Sequence, residues 1–180
     1  MAQLLAILTA SFGKPVNLDL TQPIHLEILS ALGELEIVVD EAERERATRL
    51  ASAPDPAPLP RTLHRVRNDL VMIGRAVPEP LPDPLGARLQ AMFSEASAEL
   101  IKLFQGGAVA LRKRKPAPPR DALEAAFDHF NIALMELREL QLIRTQSAEM
   151  AGRVFALSFA FQQLRANVKD LAARISERAV

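Results

Sequence analysis

The chain has 180 residues, 49 % of them hydrophobic but only 4 % aromatic, and every aromatic is Phe. That is enough for one domain with its own core. Its 22 basic and 22 acidic residues balance, so no global field selects nucleic acid or an acidic partner. The lack of cysteine excludes disulfides, thiol catalysis and thiolate metal sites.

Residues 1–12 (MAQLLAILTASF) predict a short helix closed by Gly13, with Pro15 just beyond. The segment has no basic start, so it is a poor signal peptide. A chain that opens inside an apolar segment is expected to be an excerpt of a longer protein. Leu4, Leu5, Ile7 and Leu8 either cap a core or begin something that enters a membrane. Thr21 is the expected N-cap of the next helix, with Pro23 in its first turn. Ile24, Ile28, Ala31, Leu35, Val38 and Ala42 form its predicted seam, widened by Leu32 and Val39, and residues 40–49 continue it as a charged, solvated end.

Residues 52–60 (SAPDPAPLP) hold four prolines and break that helix. The next helix is expected from Pro60 or Arg61, with Leu59, Leu63, Val66, Leu70, Ile73 and Val77 as its seam. Pro78, Pro80 and Pro82 stop it, in a proline-rich connection over residues 78–84. Asp83 and Pro84 then read as an N-cap followed by proline at the first helical position. Leu85, Leu89, Met92, Ala96, Leu100 and Leu103 form the following seam. Gly106 and Gly107 are expected to weaken that helix, leaving residues 108–113 to resume or fray.

A third proline-rich connection covers residues 115–120. Asp121 and Glu124 look like a capping box, and Leu123, Phe127, Phe130, Leu134 and Leu137 carry the seam of a helix ending near Arg144. The last helix is predicted over residues 146–180. Met150, Val154, Leu157, Phe161, Leu164, Val168, Leu171 and Ile175 recur at steps of four and three. Phe155 and Phe159 lie off that seam, so the middle of this helix is apolar on nearly every side, as in a helix surrounded by others. No alternating strand pattern competes. The expected fold is all-α: an antiparallel helical bundle of about five long amphipathic helices plus a short N-terminal one, in a single domain spanning residues 1–180.

Catalytic chemistry finds little purchase. No Glu-x-x-His pair precedes His25, His64 or His129, where Gln22, Arg61 and Ala126 stand instead, so a carboxylate di-metal site is not expected. Gly106-Gly107 lacks the spacing of a phosphate loop, and no serine sits in a nucleophile elbow. The chain is read as a non-enzyme with no cofactor and no metal. Arg67 and Asp69 flank one seam, Arg165 and Asn167 another. Such residues usually form inter-helix bonds that set register; contact with a polar ligand or partner is the alternative. The run Arg112–Lys115 (RKRK) reads as a solvated helix end, with anionic lipid headgroups or nucleic acid as the alternative, though without interleaved aromatics the nucleic-acid case is weak.

Two blocks carry a family resemblance: RTLHRVRNDLVMIGRAVPEPLP, Arg61 to Pro82, and RVFALSFAFQQLRANVKDLAARI, Arg153 to Ile175. With the helix ILSALGELEIVVDEAERER before them, they resemble the helical region of the fusaric-acid-resistance family of bacterial inner-membrane proteins, which includes aromatic acid exporters. The resemblance covers most of the chain. It implies a region on the cytoplasmic face of the inner membrane, between or after two sets of transmembrane helices of the same full-length protein, and a role in exporting aromatic carboxylic acids. The basic run fits, since cytoplasmic segments near the membrane are rich in Lys and Arg. No established binding residues are carried over, and the translocation path itself is missing from the chain.

Three functions follow as expectations. The first is an assembly or regulatory domain of an efflux protein, with Phe155 and Phe159 as contacts in a homo-oligomer or against the membrane spans. The second is a stand-alone helical adaptor. The third is a bundle that binds the aromatic carboxylate itself, an apolar pocket supplying the ring site and Arg67, Arg75 or Arg165 the countercharge.

Overall fold

The computed structural model describes residues 1–12, 14, 17–49, 55–76, 81, 83, 85–143 and 145–179. Among them are six helices and no strand: α1 (Ala2–Ala10), α2 (Leu18–Arg49), α3 (Pro58–Ala76), α4 (Leu85–Lys113), α5 (Asp121–Glu139) and α6 (Ala148–Ser176). The protein is an all-α helical bundle. The roles expected of Gly13, Pro15, Val77, Pro78, Pro80, Pro82, Pro84 and Arg144, and of the stretch 52–54, lie outside the described residues.

Apolar side chains returning every three to four residues put one stripe of each helix toward the core. In α4 the buried stripe is Leu85, Leu89, Phe93, Ala96, Leu100, Leu103, Gly107 and Ala110. In α5 it is Leu123, Phe127, Phe130, Leu134 and Leu137, and in α6 it runs from Val154 through Leu157, Phe161, Leu164, Val168 and Leu171 to Ile175. Phe161 lies at the centre of the aromatic core. Its ring is 4.3 Å from that of Phe130, 5.3 Å from Phe93 and 5.4 Å from Phe127, and Phe93 in turn meets Phe12 at 4.9 Å. Each such tilted or stacked pair adds about 0.5–1.5 kcal/mol to the burial of its area.

α1 belongs to this core. Leu4 and Leu5 have no exposed surface and Leu8 almost none, against α4 and, more lightly, α2 and α3. Of the two readings of this segment, capping the core is the one its packing fits.

Several local expectations are corrected. α2 starts at Leu18, so Thr21 is inside the helix and its hydroxyl donates back to the Asn17 carbonyl (3.4 Å), while Asn17 Oδ1 accepts from the Asp19 N–H (3.0 Å). The packed stripe of α2 is Thr21, Ile24, Ile28, Leu32, Leu35 and Val39; Ala31, Val38 and Ala42 of the predicted seam are exposed. Both stripes have helical spacing, and contact with α1 and α3 selects between them. In α3 the predicted seam is buried at Leu59, Val66, Leu70 and Ile73 and packs against the core at Leu63, and Thr62 joins it with no exposed surface. α3 also begins earlier than expected, at Pro58, where a missing N–H is harmless in a first turn.

α4 does not weaken at Gly106-Gly107. The helix runs unbroken to Lys113, and the glycines serve close approach: a Cβ on Gly106 would sit 2.6 Å from Pro118 Cγ, and one on Gly107 3.0 Å from Ile175 Cδ1. A side chain at Gly106 would force Pro118 to shift, and one at Gly107 would crowd the end of the Ile175 side chain. At α5 the capping box is replaced by a salt bridge. Asp121 is the first helical residue, Arg120 takes the N-cap position without a side-chain cap bond, and the Arg120 guanidinium donates to Glu124 Oε1 (2.7 Å). α6 begins two residues later than predicted, capped by Ser147 Oγ accepting from the Met150 N–H (3.2 Å).

Nor is α6 surrounded. Phe155 is 49 % and Phe159 58 % exposed, because α3 covers one flank and α5 and α4 lie along the other, which leaves a third side of the helix to solvent.

Candidate functional site

The polar residues of the bundle concentrate between α3 and α6. Thr62, with no exposed surface, donates from Oγ1 to Asp170 Oδ2 (2.6 Å) and itself accepts from Arg65, whose guanidinium also pairs with Asp170. Arg174, one turn beyond Asp170, donates to its other oxygen (3.0 Å) and reaches Glu177 (2.8 Å). Two turns along α3 from Thr62, the buried Asp69 accepts from Asn167 Nδ2 (2.7 Å). At the far end, Arg153 donates to the Ala76 carbonyl (3.4 Å). Thr62, Asp69 and Ala76 thus meet Asp170, Asn167 and Arg153 in turn.

The two carboxylates differ in environment. The Thr62 hydroxyl, with Arg174 and Arg65 beside it, holds Asp170 below the usual carboxylate range against the opposing effect of burial. Burial raises Asp69 instead, and the bond from Asn167 and the charge of Arg65 offset that only in part. Asp170 is therefore a fixed anion that anchors two arginines. Asp69 is a buried acceptor whose charge is poorly compensated, and its worth lies in specifying which residue of α6 stands opposite.

Of the arginines expected to meet a ligand, Arg165 is committed within the protein. Its guanidinium donates to Glu124 Oε2 and Asp128 Oδ1, both at 2.7 Å, and lies 5.9 Å from the Phe127 ring centre. The bond to Asp128, then those to Glu124, hold its pKa above the usual arginine value. Arg67, half-buried on α3, donates from one terminal nitrogen to Asn68 Oδ1 (3.1 Å), and its Nε has no partner among the described residues. The buried Nδ1 of His25 on α2 is also without one, and burial, with Arg67 nearby, lowers the His25 pKa. Arg75 is exposed in the last turn of α3. The three arginines do not converge on one place.

Neither do they line an apolar pocket found among the described residues. This opening of about 330 Å3 lies where the start of α1 meets α3, α4 and α6, and is walled by Leu63, Leu103, Phe104, Leu111, Leu171 and Ile175. Its size is at the lower end of the small-molecule range. The other two histidines sit at helix-helix edges, His64 Nε2 2.9 Å from Glu36 Oε1 and His129 Nδ1 3.0 Å from Glu95 Oε1. Phe155 lies under the Arg138 guanidinium, 5.1 Å from its ring centre. The basic run is exposed at the end of α4, with Arg114 turning the chain at a φ of 51°.

The sequence reading singled out Asp69 and Asn167 separately and missed Thr62 and Asp170. A signal was available: both helices carry polar residues at core-facing phase, Thr62 and Asp69 seven apart, Asn167 and Asp170 three apart. Periodicity alone does not say which polar residue faces which.

No family model, curated protein or solved structure matches the chain.

Proposed function

We propose that this chain is the helical region on the cytoplasmic face of an inner-membrane exporter of the fusaric-acid-resistance type, where it serves assembly or regulation. One observation carries the reading. The two blocks that bear the resemblance, Arg61 to Pro82 and Arg153 to Ile175, include most of α3 and of α6, the helix pair in most extensive contact. The polar residues within those blocks are each other's partners: Thr62 and Arg65 with Asp170, and Asp69 with Asn167. Within this chain the two blocks therefore encode one mated helix pair rather than hydrophobic spacing alone. The arrangement is read as antiparallel. The descending order of partners supports this in α3 and α6, as do Arg88 with Glu136 and Glu95 with His129 in α4 and α5.

In this reading Phe155 and Phe159 are covered by another subunit or by the membrane portion of the same protein. The test is genetic. The coding sequence on either side should encode apolar spans of about 20 residues, and removing this region from the intact gene should abolish tolerance to fusaric acid. Absence of such spans, or full tolerance after the deletion, overturns the proposal and favours a stand-alone adaptor.

The apolar pocket favours a second role, as a sensor of the transported aromatic acid. Calorimetry with fusaric or hydroxybenzoic acid tests it: heat that disappears when Leu103→Trp fills the pocket supports the role, and no heat at millimolar ligand removes it.

A further inference from the structure

α2 is the acidic part of a balanced chain. Its 32 residues hold eight of the 22 acidic side chains and three of the 22 basic ones. It touches the bundle along one narrow face, through Thr21, Ile24 and Leu32, with Glu36 bonded to His64 of α3. At about 100° per residue, a second face gathers Asp19, Leu26, Ser30, Gly33, Ile37 and Arg44. All are exposed except Gly33, which is half-buried. Leu26 and Ile37 stand 60 % and 62 % free, and a Cβ built on Gly33 would meet nothing within 4 Å.

We propose that this face is where two copies of the chain associate, their α2 helices lying antiparallel. The spacing of the six residues is symmetric: seven, four, three, four, seven. Turning a second copy end for end therefore brings Asp19 of one against Arg44 of the other at both ends. Leu26 then meets Ile37 of the second copy, and in the middle Ser30 meets Gly33, two small residues that let the helix axes approach. Charge selects this orientation. A parallel pair would set Asp19 on Asp19 and Arg44 on Arg44, whereas the antiparallel one pairs them as opposites. Neither Asp19 nor Arg44 makes an ion pair with any described residue of its own chain. The proposal does not depend on the family reading.

With so few apolar side chains from each copy, the contact belongs to the weak class, with a Kd on the order of 100 μM. Sedimentation equilibrium up to about 1 mM should show a monomer–dimer equilibrium. Reversing one charge, Asp19→Arg or Arg44→Asp, should weaken it about tenfold, and the double variant should restore it. Because the chain has no cysteine, single-cysteine variants report orientation cleanly. Leu26→Cys mixed with Ile37→Cys should form a disulfide between copies. Each alone should not, because the like positions would stand about 16 Å apart, beyond the roughly 7 Å that a disulfide spans. A chain that stays monomeric at 1 mM, a double variant as weak as the singles, or like-with-like disulfides would each overturn the proposal. Circular dichroism on every variant separates loss of pairing from loss of helix.

Discussion

α2 and the α3–α6 pair begin from the same kind of sequence, long amphipathic segments with apolar residues at steps of three and four. They end in opposite conditions. α6 buries ten of its 29 residues and is tied to α3 by Thr62, Arg65, Asp69, Asn167 and Asp170. α2 is longer, yet buries only Thr21, Ile24 and Leu32 among its described side chains, and exposes Leu20, Leu26, Leu29, Ile37 and Val38. An apolar stripe thus tells that a helix has a side to cover. It does not tell how many neighbours arrive to cover it, which depends on the length and direction of the other helices.

The contrast can be broken most severely at the aromatic core. Phe161→Ala removes a ring in contact with three others and should destabilise the protein by about 3–5 kcal/mol, read as a lower midpoint in urea unfolding followed by circular dichroism. Next comes the polar tie between α3 and α6. Thr62→Val keeps the shape but leaves Asp170 without its buried hydroxyl donor, and should cost about 1–2 kcal/mol.

The pH dependence has a definite sign. Asp170 has a folded pKa below its unfolded value, so its contribution is fully present above about pH 4 and is lost as pH falls through the lowered folded value. Asp69 acts oppositely: its raised pKa means that its ionised form weakens the fold as pH rises. Removing Asp170 as Asp170→Asn should therefore flatten the acid limb of the stability curve. Asp69→Asn should raise the stability at pH 7 relative to that at pH 3, since the neutral amide avoids the buried charge. The reverse ranking in urea titrations at the two pH values would refute this account of the two carboxylates.

The smallest effect is expected on α2. Ile37→Ser should change global stability by less than about 0.5 kcal/mol, because its side chain is already in water. Amides of residues 40–48 should exchange with solvent far faster than those at the centres of α3 and α6, where opening requires breaking buried contacts. Equal protection in both regions would show that α2 is held more firmly than its contacts imply.

The helices themselves were largely legible. Proline clusters and seam periodicity place six segments with ends off by a few residues, and the seams of α5 and α6 are buried as read. The failures have local causes. The α2 seam is rotated because a helix with apolar residues on adjacent faces has two acceptable stripes, and only its neighbours choose. Gly106 and Gly107 read as helix breakers by propensity, whereas close approach of Pro118 and Ile175 makes their lack of a side chain an asset. Arg67 and Arg165 stand beside their seams, where inter-helix bonds are the expected role, and Arg165 makes such bonds to Glu124 and Asp128. Arg165 turned out to have carboxylates on α5 within reach, a long-range fact that no local pattern contains.

By itself, then, the amino-acid sequence determined an all-helical chain, its breaks, and the apolar face of most helices, because propensity, proline stereochemistry and 3.6-residue periodicity act over one or two turns. Tertiary structure alone decided which polar side chains became partners and which apolar ones stayed in water. Those outcomes depend on residues brought together from opposite ends of the chain, as when Thr62 meets Asp170 while Ile37 stays largely exposed within its own chain.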